Sequence, residues 1–375
     1  MPETQSQPSV RTSTPRPVPR VIFIGGGLGL AALLLGIWAA LERLGWQVPA
    51  LQPDLLLAHG PLMVCGFLGT LIALERAVAV RQRWAFAAPL LLGGGAIVLG
   101  LGADRLAAVM LLAGSLGFIA IYGVILARSF TDFTLVMTLG ALALLFGNLF
   151  WAYGVMIPIM VYWWAGFLIL TIFGERLELS RMRPRTGGRS AGAYLVLGIY
   201  VIALGLATQS PRQGMQLAGI GMVGMALWLL LFDNAWHLLR RPGLTRYIGL
   251  NLIIGYVWLA VSGYLWLTRA GSLIFGYDAM LHSLFLGFVI SMVFAHAPII
   301  FPAISGRVLP WRRGFYLPIG LLQITLICRI GIDLARHPNA FAWKWAGLLN
   351  AAALLSFILY AAASAWIGQP KKRPA

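Results

Sequence analysis

The chain has 375 residues, of which 60% are hydrophobic and only 10% charged, with a mean hydropathy of +0.84. A soluble globule has no way to hide that much apolar surface, so that class is excluded. The net charge of +17 is parcelled into short connections rather than gathered on a polar domain, which argues against nucleic-acid binding; Cys65 and Cys328 lie singly in apolar runs, with no CxxC or disulfide framework.

Residues 1–20 are polar, proline-bearing and basic (Arg11, Arg16, Arg20), without the apolar core and small-residue cleavage site of a signal peptide. They are expected to form a disordered cytoplasmic leader. A helical span of a hydrocarbon layer about 30 Å thick needs roughly 20 apolar residues. Apolar runs between charged or Pro/Gly connections predict helices over 21–41, 55–74, 84–102, 106–127, 133–150, 155–174, 191–208, 214–232, 247–267, 279–303, 314–335 and 342–367. The expected architecture is all-α and polytopic: a single twelve-helix membrane domain over 21–367 and a basic cytoplasmic tail over 368–375.

Assigning the connections alternately to two sides places 21 of the 28 Lys and Arg residues on one side and six on the other, with Arg329 inside the eleventh helix. By the positive-inside rule the richer side, which includes both termini, is cytoplasmic, and the expected location is a bacterial inner membrane. The partner implied is the lipid bilayer; the sequence leaves the oligomeric state open.

Ionisable groups at membrane depth cost roughly 2.5 to 3.5 kcal/mol each on insertion scales, so those retained are candidates for function. The second helix carries His59 near its outer end and Glu75-Arg76 near its inner end. The sixth ends in Glu175-Arg176, repeating that pair. The tenth carries His282 near its outer end and His296 fourteen residues on, about 21 Å deeper along a helix. These three helices run in the same direction, so His59 and His282 share one depth, and Glu75, Glu175 and His296 another. Their spacing by four hints at a threefold pseudo-repeat of four-helix units.

Two neutral imidazoles converging from two helices are what a six-coordinate haem iron needs. Gly60, Gly66, Gly69 and Gly287 are small enough to admit a flat macrocycle or a neighbouring helix. The alternative is a pair of separate interfacial histidines. On the inner side, two carboxylates and an imidazole suit a second metal such as copper or iron, or a proton relay, against the alternative of carboxylates paired with arginines at the interface. His296 also stands where Pro298 and Pro302 free backbone carbonyls. In the eleventh helix, Arg329 and Asp333 are spaced for an i, i+4 ion pair, and Arg329 also suits a haem propionate.

The stretch HSLFLGFVISMVFAHAPIIFPAISGR, with His282, Gly287 and Gly306-Arg307, and the stretch HGPLMVCGF beginning at His59 resemble motifs of the NnrS family of haem- and copper-containing membrane proteins. More remotely, the helix count resembles the twelve-helix core of the haem-copper oxidases. The resemblance implies a low-spin haem b between His59 and His282, and a role in nitric oxide response or electron transfer, with a gaseous ligand or a redox partner. The chain lacks the second histidine of the family's second-helix motif and the histidine before its Gly-Arg. With five histidines in all, it also lacks the cluster of three that an oxidase copper site requires. A membrane oxidoreductase activity is left open. The rival reading is a proton-coupled secondary transporter of a small solute, with His282, His296, Glu75 and Arg329 as coupling groups; against it, the midplane holds little polarity beyond Asn148 and Asn251.

Overall fold

The computed structural model describes residues 20–180, 187–272, 274–305, 309–335 and 337–367. The expected leader, the tail and Gly306-Arg307 lie outside the described residues, apart from Arg20. Among the described residues there is no strand, and twelve helices are long and apolar enough to cross a membrane. They are α1 (Arg20–Arg43), α2 (Leu55–Val80), α3 (Arg83–Gly100), α4 (Asp104–Arg128), α5 (Asp132–Ala152), α6 (Ile157–Ser180), α7 (Ser190–Gln209), α8 (Pro211–Phe232), α9 (Leu244–Arg269), α10 (Phe275–Pro302), α11 (Arg313–Asp333) and α12 (Ala340–Ile367). Each coincides with an apolar run read from the sequence. The chain is a multi-pass membrane protein.

The helices are apolar around their whole circumference, as lipid contact requires. Leu101, Ile202, Leu231 and Leu359 are among many large side chains left exposed on the outside of the bundle. Consecutive helices pack as antiparallel neighbours, notably α3 with α4, α5 with α6, α7 with α8 and α11 with α12. The ends of the chain meet too. Lys344 at the start of α12 donates to the Gly45 carbonyl just after α1 and sits 4.4 Å over the ring of Trp46, which packs edge-on against Trp345.

Three helices form the centre. Buried residues make up 61% of the apolar window of α2, 78% of α6 and 61% of α10, and no other span exceeds 56%. The most buried helix thus recurs every fourth, the spacing on which a threefold pseudo-repeat of four-helix units rests. Two of the three share an irregularity. In α2 a 3₁₀ turn (Leu55–Ala58) and a short α turn (His59–Pro61) lead into a π-helical segment (Leu62–Gly69) before α geometry resumes over Thr70–Val80. In α10 an α segment (Phe275–His282) leads into a π-helical segment (Ser283–Val289). Runs of i→i+5 bonding are rare and concentrate at functional sites.

Candidate functional site

Both π-helical segments begin within a turn of a histidine. His59 follows the 3₁₀ turn that opens α2 and begins the short α turn that ends at Pro61. Its Nδ1 lies 2.8 Å from the carbonyl oxygen of Gly36 in α1. Gly36 lets α1 and α2 lie close: a Cβ there would stand 2.7 Å from Sδ of Met63. His282 closes the α segment of α10, with Nδ1 3.0 Å from the carbonyl oxygen of Asp278 and 3.1 Å from its Oδ1. A carbonyl oxygen only accepts, so each Nδ1 is the N–H donor, and in the neutral ring it is Nε2 that offers a lone pair.

The two rings face one another across the space between α2 and α10. Their centroids are 6.4 Å apart and their planes 19° from parallel. A metal bond to an imidazole nitrogen is about 2.0–2.1 Å and that nitrogen lies roughly 1.2 Å from the ring centre, so two rings trans on one ion have centroids about 6.4 Å apart. The backbones of α2 and α10 pack against one another chiefly deeper in the bundle, through Thr70–Val80 and Ile290–Ser305.

Behind His282 stands a built support. Asp278 receives two hydrogen bonds from Arg329, Nε to Oδ2 at 2.7 Å and Nη2 to Oδ1 at 2.8 Å. The indole N–H of Trp343 in α12 reaches Oδ2 at 3.4 Å, and the Arg329 guanidinium lies 5.6 Å over the Trp343 ring. The same carboxylate therefore holds both the imidazole of α10 and the arginine of α11. Carboxylates in this position fix the ring and tautomer of metal-binding histidines. The expected Arg329–Asp333 pair is not what forms. Arg329 turns to Asp278 on another helix, and both Asp333 carboxyl oxygens are buried without a hydrogen-bond partner. Asp278 was missed in the sequence because it lies just before the predicted helix start, although its place four residues before His282 is the spacing that puts the two on one helical face.

The glycines expected to admit a macrocycle serve mainly helix packing. A Cβ at Gly287 would lie 2.5 Å from Trp258 of α9, and one at Gly66 would lie 2.5 Å from Ala96 and 3.0 Å from Ala32. A Cβ at Gly69 would meet Val64 O at 3.3 Å and Leu92 at 3.7 Å. Only Gly60 meets ordinary contacts, 3.8 Å from Trp164 and 4.0 Å from Ile157.

At the opposite end of the bundle, the structure brings Glu75 and Glu175 together through an arginine. Arg76 donates to Glu175 across the α2–α6 contact and lies 3.8 Å from Glu75. The two Glu-Arg pairs are used differently, for Arg176 turns to Asp233, with three hydrogen bonds of 2.7 to 3.1 Å. A guanidinium occupies the place between the carboxylates that a cation would take. His296 is not drawn into this cluster by any hydrogen bond or ion pair among the described residues; its Nδ1 bonds to the carbonyl of Met292 at 2.7 Å, one turn back. Among the described residues no group of three or more His, Cys, Asp or Glu side chains is placed to hold a metal ion.

The midplane polarity belongs to one packing junction. The Oδ1 atom of Asn148 accepts from Cys65 at 3.1 Å and from Trp164 at 2.9 Å, while its amide nitrogen donates to Ser115 at 2.7 Å. Four helices are tied together there. Asn251 donates to the Tyr247 carbonyl of its own helix.

Over residues 20–366 the chain matches the family model described as a domain of unknown function, DUF8744, and it belongs to that family. No curated protein matches the chain.

Proposed function

We propose that this member of the DUF8744 family is a membrane haem protein with His59 and His282 as the two axial ligands of one iron. The observation that carries the reading is the facing pair of rings, 6.4 Å apart and nearly parallel, each with Nδ1 committed to an acceptor. Two protein ligands alone make a poor cage for a bare hard ion. A haem iron needs only two, because the macrocycle supplies the other four nitrogens. The donor set fits that group: neutral imidazoles, on separate helices, each held from behind.

The residues of the chain then have distinct tasks. His59 and His282 hold the group from opposite sides. Gly36 and Asp278 keep each ring in the tautomer that offers Nε2. Arg329 neutralises Asp278 and stands behind His282 as a cation for a haem propionate to meet. When bound, the haem supplies a one-electron couple. An iron held by two imidazoles of the chain would leave no position free for a gas, which favours electron transfer. By the positive-inside rule the histidines lie at the outer face of a bacterial inner membrane, and the redox partner is reached from that side.

The test is a haem assay of the full chain purified from cells supplied with haem. About one haem b per chain is expected, with a low-spin spectrum in both oxidation states. A colourless protein that is folded by circular dichroism overturns the reading.

A further inference from the structure

The arginine-rich end of the bundle holds a second feature, independent of the histidine pair. Between the starts of α9 and α11 lies a cavity of about 320 Å³, lined by Pro242, Gly243, Arg246, Trp311, Arg313 and Tyr316. That is the lower end of the volumes that ligand sites occupy. Arg246 and Arg313 bring two cations to it, and among the described residues no acidic side chain lines it. The two aromatic rings add shape: Trp311 stands edge-on to Tyr316 at 6.3 Å.

Two further observations point to an anion. The indole nitrogen of Trp311 is buried without a hydrogen-bond partner, which leaves a donor costing free energy until an acceptor arrives. Both helices also start here without an acidic residue in the first turn and without a side-chain cap, so their first N–H groups and the positive ends of their dipoles are left to a ligand. Gly243, at φ +70°, makes the turn that brings Arg246 to the cavity. The two spans begin at Leu244 and Arg313, so the cavity sits where a bilayer's headgroups begin.

We propose that this cavity binds a phosphate group, carried by an anionic phospholipid headgroup or taken up as free phosphate. The guanidinium groups of Arg246 and Arg313 grip its oxygens, and the Trp311 N–H supplies a neutral donor from the wall. Basic clefts between transmembrane helices at the membrane surface are suited to such headgroups.

The experiment uses the full chain in neutral detergent, with thermal unfolding and native mass spectrometry as readouts. The probes are phosphatidylglycerol, phosphatidylcholine and inorganic phosphate. Phosphatidylglycerol is expected to raise the unfolding midpoint and to remain bound, and phosphatidylcholine to do neither. If inorganic phosphate reproduces the shift and displaces the lipid, the free anion is the source; if it does nothing, the lipid is. The variant R246Q/R313Q is expected to bind about tenfold more weakly or worse. The variant R240Q/R241Q, which removes two charges from the same connection outside the cavity, is expected to bind as the unaltered chain does. Should R246Q/R313Q fail to fold, W311F, which keeps both charges, decides by weaker binding. Absence of any anion-dependent shift overturns the proposal. So do equal losses in the two double variants, which indicate diffuse charge, and unchanged binding by W311F.

Discussion

Asp278 is held by Arg329 through two hydrogen bonds of 2.7 and 2.8 Å while its Oδ1 lies 3.1 Å from the Nδ1 of His282. One carboxylate therefore ties the histidine of α10 to a cation of α11 and, through Trp343, to α12. An arginine 7% exposed has no solvent to fall back on if the carboxylate is removed. Breaking such a pair from one side costs about 3–5 kcal/mol, whereas replacing both partners costs much less.

The variant Asp278→Asn is accordingly expected to lower the unfolding midpoint sharply and to weaken haem retention about 10- to 100-fold, as loss of an outer-shell partner does. The double variant D278N/R329Q is expected to recover much of the stability without recovering haem affinity. A double-mutant cycle in unfolding midpoint and haem dissociation rate checks both parts. Additive effects on stability contradict the pairing.

The near-parallel rings carry a spectroscopic consequence. With planes 19° apart, the oxidised protein is expected to give a rhombic low-spin electron paramagnetic resonance signal. The large-maximum signal of perpendicular imidazoles is the opposing outcome.

At the arginine-rich end, Glu175→Ala removes the carboxylate to which Arg76 donates and leaves Glu75 at 3.8 Å. The expected result is a stability loss of about 1–3 kcal/mol with haem content unchanged, because a part-buried charged hydrogen bond is removed and both histidines remain. Metal analysis beside thermal unfolding checks this. Loss of a second metal ion in Glu175→Ala or His296→Ala runs against the ion-pair description.

Packing at the core of α10 is tight enough to test separately. A side chain at Gly287 meets Trp258 at 2.5 Å, so Gly287→Leu is expected to cost about 1–3 kcal/mol by overpacking, read as a lower unfolding midpoint. Asn148→Ala strands the N–H of Trp164 in the buried junction, whereas Ser115 keeps its hydrogen bond to the Leu111 carbonyl at 2.8 Å, so a loss of about 1–3 kcal/mol is expected for the one unpaired donor.

Much of this was legible in the sequence, and the boundary is a physical one. Span lengths and flanking charges report the bilayer directly, which is why all twelve helices and the shared depth of His59 and His282 could be counted from residue positions. Partner choice across helices is another matter. The i, i+4 spacing of Arg329 and Asp333 describes one helix in isolation and is silent on Asp278 approaching from α10. The π-helical segments have no period of their own and left no trace in the residue pattern. The glycines were ambiguous for a similar reason, since a missing side chain admits a tryptophan or an alanine as readily as a cofactor. His296 shared a depth with Glu75 and Glu175, but depth fixes only one of the coordinates a contact needs.

The most direct measurement compares the purified chain with His59→Ala and His282→Ala by optical spectroscopy and haem stoichiometry, without and with added imidazole. The expected result is a low-spin, six-coordinate spectrum in the unaltered chain. Each variant is expected to turn high-spin or lose haem, with imidazole restoring the low-spin bands. A low-spin haem spectrum that survives both substitutions unchanged, or no haem in any of the three folded proteins, contradicts the assignment of His59 and His282 as the ligands of one iron.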